Sequence, residues 1–186
     1  MLQILSFIVA IITLVVTISI PIQIMKVQKY TNLMTTYESF EFSHAFQSVI
    51  NFFYDDCDCD TSKVSEKYYE RFKKDFEDLK NKDFKKDKQD ILHYQRRLLN
   101  DYFLELEMCR SSSWFLKSKI RKDWTVSEAY VCKILVFMNK AVDDNPQIFK
   151  DISSIRHDRM PKVSGLNKYL VRFYNVLKQE SPDMQV

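Results

Sequence analysis

The first 25 residues constrain the fold most, because no charged side chain occurs from Leu2 to Met25. As a helix that rises 1.5 Å per residue, these 24 residues extend for about 36 Å. The hydrocarbon core of a bilayer is about 30 Å thick, so the segment is long enough to cross it with some tilt. Residues 1–25 are therefore predicted to be a transmembrane anchor.

A cleaved signal peptide is the alternative interpretation of this segment. Such a peptide has a basic N-terminal region, a short apolar stretch and a small-x-small cleavage site. No basic residue precedes Leu2, and the apolar run continues to Ile24. The best cleavage candidate, at Thr17 and Ser19, is followed too closely by Pro21. These observations favour a retained anchor.

The orientation of the anchor is predicted from its flanking lysines. Lys26 and Lys29 both follow the apolar segment, and basic residues near a span favour the cytoplasmic side. We therefore expect a single-pass protein of the cell (inner) membrane, with the N-terminus outside and residues 26–186 in the cytoplasm. The reverse topology is the alternative. The four cysteines agree with a reducing compartment, where structural disulfides are rare.

Small side chains recur along one face of the predicted anchor, at Ser6, Ala10, Thr13 and Thr17. Their spacings of 4, 3 and 4 residues match the helical repeat. Because small and hydroxyl residues let membrane helices approach closely, this face is a candidate for homo-oligomer formation through the anchor. The alternative is that common small residues are aligned by chance.

The composition outside the anchor favours helices over strands. One glycine and four prolines in 186 residues leave few of the tight turns that β-hairpins need. The predicted fold is all-α, with a transmembrane helix followed by a single multi-helix cytoplasmic domain. Residues 26–36 are predicted to be a helical juxtamembrane connection, residues 37–179 the helical domain, and residues 180–186 a frayed tail.

Apolar residues recur every three or four positions through most of this domain, which is typical of amphipathic helices. The helices are predicted over residues 37–54, 65–80, 86–108, 114–124, 125–142 and 146–155, and from residue 164 onward. Thr125-Val-Ser-Glu128 has the pattern of a capping box at a helix start. The pair Thr35-Thr36 is the one hint of a break between the anchor and the first helix of the domain.

The single glycine also excludes several enzyme classes. A Walker loop, a dinucleotide-binding Gly-x-Gly-x-x-Gly motif and a Gly-x-Ser-x-Gly nucleophile elbow each need more glycines than Gly165 supplies. None of the three histidines stands in a His-Glu-x-x-His motif. The sequence therefore favours a non-enzymatic role, and no cofactor is expected.

Two carboxylate and histidine pairs have the spacing that helical bundles use for di-metal sites. They are Glu41-x-x-His44 and Asp90-x-x-His93, on separate predicted helices. Acids are common in this chain, so a local interaction within each helix is the favoured interpretation.

The segment Asp55–Asp60 carries four acids and two cysteines. It starts like a calcium loop, but Thr61 replaces the turn glycine and Lys67 stands in place of the bidentate glutamate. An exposed polar loop is favoured, and contact with a soft metal is the alternative.

The stretch Trp114–Trp124 carries four cations, at Lys117, Lys119, Arg121 and Lys122. Clustered cations near a membrane favour contact with acidic lipids or with a partner. Solvated helix surface is the alternative. The net charge of +3 is too small for the broad basic face that duplex binding needs, so nucleic acid is not an expected partner.

The order of elements between residues 91 and 177 resembles a family of short bacterial membrane proteins. The similar features are the aromatic and acidic helix Leu98–Glu107, the basic segment ending at Trp124, an amphipathic helix, and the final helix around Tyr169–Phe173. The resemblance implies one N-terminal span and a helical cytoplasmic domain of unknown function, and it implies no catalytic residue.

Three classes of function remain open from the sequence. The first and favoured class is a membrane-tethered helical module that docks an unknown protein partner and contacts membrane lipid. The second is a membrane-anchored effector or sensor, for example in bacterial defence, that acts through oligomerisation at the membrane. The third is a carboxylate and histidine metalloprotein.

Overall fold

The computed structural model describes residues 2–81, 91–124, 126–146 and 163–178. Within these ranges the backbone forms seven α-helices and no β-strand, which confirms the all-α prediction for them. The helices are α1 (Leu2–Tyr37), α2 (Phe40–Asp55), α3 (Val64–Asn81), α4 (Leu92–Ser112), α5 (Trp114–Asp123), α6 (Val126–Asp144) and α7 (Val163–Lys178). Asp90, Thr125, most of the predicted helix over 146–155 and the tail over 180–186 lie outside the described residues.

Helix α1 continues without a break from the apolar segment to Tyr37, so residues 26–36 are helical as expected. The break that Thr35-Thr36 hinted at does not occur, and the helix continues through both residues. The hydroxyls of Thr35 and Thr36 donate to the carbonyls of Thr31 and Asn32, at 3.2 and 3.1 Å, and stay within the helical pattern. The chain bends after Tyr37 instead, and the Ser39 hydroxyl caps α2 by accepting from the Phe42 amide at 3.2 Å.

Helix α4 is the central element, because α1, α2, α5, α6 and α7 all pack against it. The C-terminal half of α4 faces α1, where Glu105 approaches Lys29 and Tyr102 approaches Tyr37. Its N-terminal half faces α2, where Gln95 approaches His44. Helices α1 and α2 therefore follow one another along α4 and run antiparallel to it.

The apolar stripes form the core as the sequence predicts. In α6, Val131, Ile134, Leu135, Met138 and Ala141 are all at most 2% exposed. In α2 and α7, the buried members of the stripes are Phe42, Ala45, Val49, Phe53, Leu170, Phe173 and Leu177. Burial of this kind is the main stabilising term for a helical domain, since isolated helices of this length are marginal in water.

An aromatic cluster joins the end of α1 to the rest of the core. Tyr37 packs edge-on against Trp124 with ring centroids 4.7 Å apart. Tyr102 lies 4.5 Å from Phe42, and Phe103 lies 5.9 Å from Phe173. These rings come from four helices and from Trp124 just after α5, so the end of α1 is held by the same packing that holds the body together.

Candidate functional site

The apolar surface of α1 is uncovered along its first two thirds. The large apolar side chains described between Ile4 and Val27 are 42–68% exposed. Among the helices of the described chain, α1 alone is long and apolar enough to cross a membrane. A surface helix in water has one face of charged and polar side chains, and this segment has no such face.

The small residues Ser6, Ala10, Thr13 and Thr17 all lie exposed on one face of α1. The hydroxyl of Ser6 donates to the Gln3 carbonyl at 2.9 Å. Thr13 and Thr17 donate to the carbonyls four residues earlier, at 2.9 and 2.7 Å. Each hydroxyl hydrogen is therefore bonded inside the helix, as an apolar surrounding requires. This face therefore allows a neighbouring membrane helix to approach closely.

The last third of α1 belongs to the core of the body. Tyr30 and Leu33 are 4% and 7% exposed. The Tyr37 hydroxyl donates to Glu128 Oε1 at 2.7 Å. Burial and this hydrogen bond raise the pKa of Tyr37 to about 12, so the hydroxyl keeps its proton at neutral pH. The apolar segment is thus continuous with a firmly docked helix end.

The turn between α4 and α5 lies against α1 close to the end of the apolar segment. The Lys26 ammonium donates to the carbonyl of Ser112, which is one of the carbonyls that the end of α4 leaves without a helical partner. The Ser113 hydroxyl lies 3.4 Å from Gln23 Oε1. These contacts place the tip of the body level with Gln23.

Helix α5 runs beside α1 in the same direction. Its start is level with Gln23, Lys119 Nζ lies 5.7 Å from the centre of the Tyr30 ring, and Trp124 just beyond its end packs on Tyr37. The exposed Lys119 is thereby brought beside the flanking lysines of α1, a grouping that the sequence did not reveal. The exposed Lys117 lies on another side of α5, two residues nearer to its start. The side chains of Arg121 and Lys122 lie outside the described part of the structure.

The described residues among the candidate metal ligands lie in different environments. His44 is half-buried, stacks on Phe40, and its Nδ1 lies 3.4 Å from the side-chain nitrogen of Gln95. Glu41 is exposed, and Asp90 is not among the described residues. Within the described ranges, no three His, Cys, Asp or Glu side chains are grouped so that they could hold a metal ion.

His93 belongs to a buried polar cluster instead. Its Nδ1 lies 2.9 Å from the Tyr68 hydroxyl, and Arg96 bonds both to Tyr68 and to Asn139. Since a guanidinium can only donate, the Tyr68 oxygen accepts from Arg96 and its hydrogen points to His93. Asn139 also exchanges hydrogen bonds with Asn100, at 2.8 and 3.2 Å. The cluster links α3, α4 and α6 inside the core.

The buried state of His93 predicts a loss of stability in acid. Burial, reinforced by Arg96 and Arg97, holds the pKa of His93 well below its usual 6.5. The unfolded chain therefore takes up a proton near pH 6.5 that the folded chain resists, and stability falls as the pH drops below that value, by at most about 1.4 kcal/mol per pH unit. Urea unfolding of the full chain in detergent micelles between pH 7.5 and 5 measures this slope.

A matched pair of variants isolates the contribution of His93. His93→Gln keeps a hydrogen-bond acceptor for Tyr68 and should flatten the pH dependence relative to wild type. His44→Gln should leave the slope unchanged. An unchanged slope in His93→Gln would show that other groups cause the pH dependence.

The acidic segment after α2 forms a tight turn rather than an open ligand loop. Asp58 and Cys59 adopt positive φ values of 53° and 61°. Asp60 accepts from the Ser62 hydroxyl and amide, and Asp58 pairs with Lys63 at 2.8 Å. Cys57 is buried, unlike the exposed position expected for the whole loop, and burial raises the pKa of its thiol to about 11. These carboxylates are thus engaged in shaping the turn.

Comparisons with models of protein families, with curated proteins and with solved structures find no match to this chain. A functional interpretation therefore depends on the geometry of the chain itself, and above all on the passage of α1 from an uncovered apolar segment into the core.

Proposed function

We propose that this protein is a non-enzymatic, membrane-tethered helical module that presents its body to a protein partner at the membrane surface. One observation carries the proposal. Helix α1 is uncovered and apolar over its first two thirds, yet Tyr30 and Leu33 further along the same helix are buried in the body. A helix of this kind suits a chain that lies in lipid at one end and in protein at the other.

The contacts of α1 indicate where the lipid segment ends. Polar contacts begin at Gln23 and Lys26, with Ser113 and Ser112 of the body. The segment Leu2–Ile22 before them contains 21 residues and is roughly 31 Å long as a helix. This length matches a hydrocarbon core of about 30 Å without a large tilt. We place the N-terminus outside the inner membrane and the body in the cytoplasm, following the lysines beyond the span.

Insertion is tested with the full chain expressed in bacterial cells. It should remain in the membrane fraction after alkaline carbonate extraction and should float with vesicles. Ile12→Arg places a charge at the middle of the span, which costs about 3 kcal/mol of insertion free energy, and should release much of the protein. Phe40→Arg adds the same charge to an exposed site of the body and should release none. Wild-type protein in the soluble fraction would refute the anchor.

Self-association through the small-residue face is a second testable part of the proposal. Changing Ser6, Ala10, Thr13 and Thr17 all to Leu fills the face and should weaken pairing in vesicles, measured by energy transfer between labelled chains. A control changes Ile4, Ile8, Ile11 and Val15, on the opposite face, to Leu. If both variants pair like wild type, this face is not a contact between copies.

A membrane-anchored effector or sensor is the second candidate, and the continuity of α1 favours it. No loop separates the apolar segment from the residues docked in the core, so a rotation or shift of the span on pairing would move the body with it. This function predicts growth arrest on overexpression that is lost when residues 1–22 are deleted. Growth arrest that persists without the span would exclude the bilayer as the place of action.

A further inference from the structure

We infer that the base of the body binds anionic phospholipid headgroups through a surface that α1 and α5 build together. Its members are Lys26 and Lys29 from α1 and Lys117 and Lys119 from α5, called the basic band below. The inference rests on the proposed insertion of α1 and names the lipid that the inserted protein would prefer.

The position of the basic band follows from the two parallel helices. Gln23 marks the level where α1 meets the tip of the body, and Ser113 at the start of α5 lies at the same level. At 1.5 Å per residue, Lys26 and Lys29 follow Gln23 by roughly 5 and 9 Å. Lys117 and Lys119 follow Ser113 by roughly 6 and 9 Å. The backbone of all four residues therefore lies within about one Debye length of the proposed lipid boundary.

The charge of the basic band is largely unopposed. Lys29 pairs with Glu105 at 3.5 Å, and both side chains remain about half exposed, at 47% and 50%. Lys117 and Lys119 are exposed, and they make no ion pair with any described residue. Long lysine side chains can turn their ammonium groups toward the phosphates while their stems stay on the protein.

Some lysines elsewhere on the body are paired with acids at shorter distances than Lys29 is. Lys63 pairs with Asp58 at 2.8 Å, and Lys67 pairs with Glu70 at 3.0 Å. Helix α3 also carries acids beside its cations, so its surface is nearly balanced. The basic band lies where α1 leaves the proposed span, which is the place where a negative leaflet would meet it.

The test uses the full chain reconstituted in phosphatidylcholine vesicles that contain some phosphatidylglycerol. Spin-labelled phosphatidylglycerol and spin-labelled phosphatidylcholine report which lipid is motionally restricted by the protein. We expect wild type to prefer phosphatidylglycerol, and the double variant Lys117→Gln, Lys119→Gln to lose at least about fivefold of that preference at low salt. The matched control is Lys73→Gln, Lys140→Gln, which removes two exposed lysines from the end of the body remote from the span and should keep the preference.

Three results would overturn the inference, and they are distinguishable. Equal restriction of both lipids by wild type would show that the protein is inserted without a headgroup-binding surface. Equal loss of the preference in the control would show that the preference does not come from the basic band. The absence of any restricted lipid would show that α1 is not inserted, which removes the proposed function together with this inference. Loss of the preference at high salt supports the electrostatic origin.

Discussion

A chain that begins at Glu38 should fail to fold, whereas a chain that begins at Gln23 should be a soluble helical protein with one cooperative unfolding transition. Both fragments lack the apolar segment Leu2–Ile22. They differ in residues 23–37, of which the sequence alone assigns 26–36 to a connection outside the domain.

The reason for this difference is the burial of the last third of α1. Tyr30 and Leu33 are core residues, and Tyr37 contributes its ring to the aromatic cluster and its hydroxyl to Glu128. Removing a large buried side chain costs about 2–5 kcal/mol, and the whole stability of a domain is about 5–15 kcal/mol. Losing these two buried side chains and the half-buried Tyr37 also uncovers the part of α4 that they pack against, and the combined loss should exceed the stability of the domain.

Far-ultraviolet circular dichroism and urea unfolding of the two fragments measure this effect. As a control, the fragment from Gln23 with Lys29→Gln loses one exposed ion pair and should unfold like its parent. If the fragment from Glu38 unfolds with the same midpoint as the fragment from Gln23, then α1 is an appendage and the proposed rigid connection to the span is wrong.

Glu107→Ala should be the most destabilising single substitution in α4. Glu107 and Arg110 form a bidentate ion pair, with Arg110 Nη2 donating to Glu107 Oε1 at 2.7 Å, and the two residues are 0% and 6% exposed. Removing one partner leaves the other charge buried without compensation, which costs about 3–5 kcal/mol. The free energy of unfolding of the fragment from Gln23, measured with urea, checks this value.

Two comparison variants test whether burial of the ion pair causes this loss of stability. Lys67 and Glu70 form an ion pair at the same helical spacing on the exposed face of α3, and Glu70→Ala should change the unfolding midpoint little. The double variant Glu107→Leu, Arg110→Met replaces the pair with apolar groups and should recover much of the stability. If Glu107→Ala behaves like Glu70→Ala, the pair is not buried in solution.

The helices were predictable because their apolar stripes depend on local spacing. Every member of the α6 stripe is buried, whereas the α2 stripe also includes the half-buried Phe46 and Ile50 and misses the buried Phe52. The polar run Ser111–Ser113 marks the separation of α4 from α5. Before α2, the pair Thr35-Thr36 is the only hint of a break in the sequence, and the helix continues through it. Ser39, whose hydroxyl caps the next helix, was the better signal.

The buried polar residues were not predictable from periodicity. Arg96 and Asn100 are 2% exposed, although their residue types suggest a solvated face of α4. Their partners, Tyr68 and Asn139, are distant in the chain and meet them only in the folded body. For the same reason, the sequence paired His93 with Asp90 nearby, while the structure pairs it with Tyr68.

The basic band also could not be predicted from the sequence, since its two halves are about 90 residues apart in the chain. From the sequence alone, the flanking lysines of α1 indicate topology, and those of α5 predict a separate surface. A long-range contact, between Ser113 and Gln23, places them together. Groupings of this kind depend on tertiary packing and produce no periodic pattern in the sequence.

Depth measurements by spin labelling along α1 test the central claim most directly. Single labels at Phe7, Ile12, Ile18 and Gln28 of the full chain in vesicles report their exposure to oxygen, which concentrates in lipid, and to a polar relaxation agent. We expect oxygen exposure to be greatest at Ile12, the midpoint of Leu2–Ile22, and the polar agent to reach Gln28. Labels that the polar agent reaches equally at all four positions would show that this helix lies in water and would contradict the account.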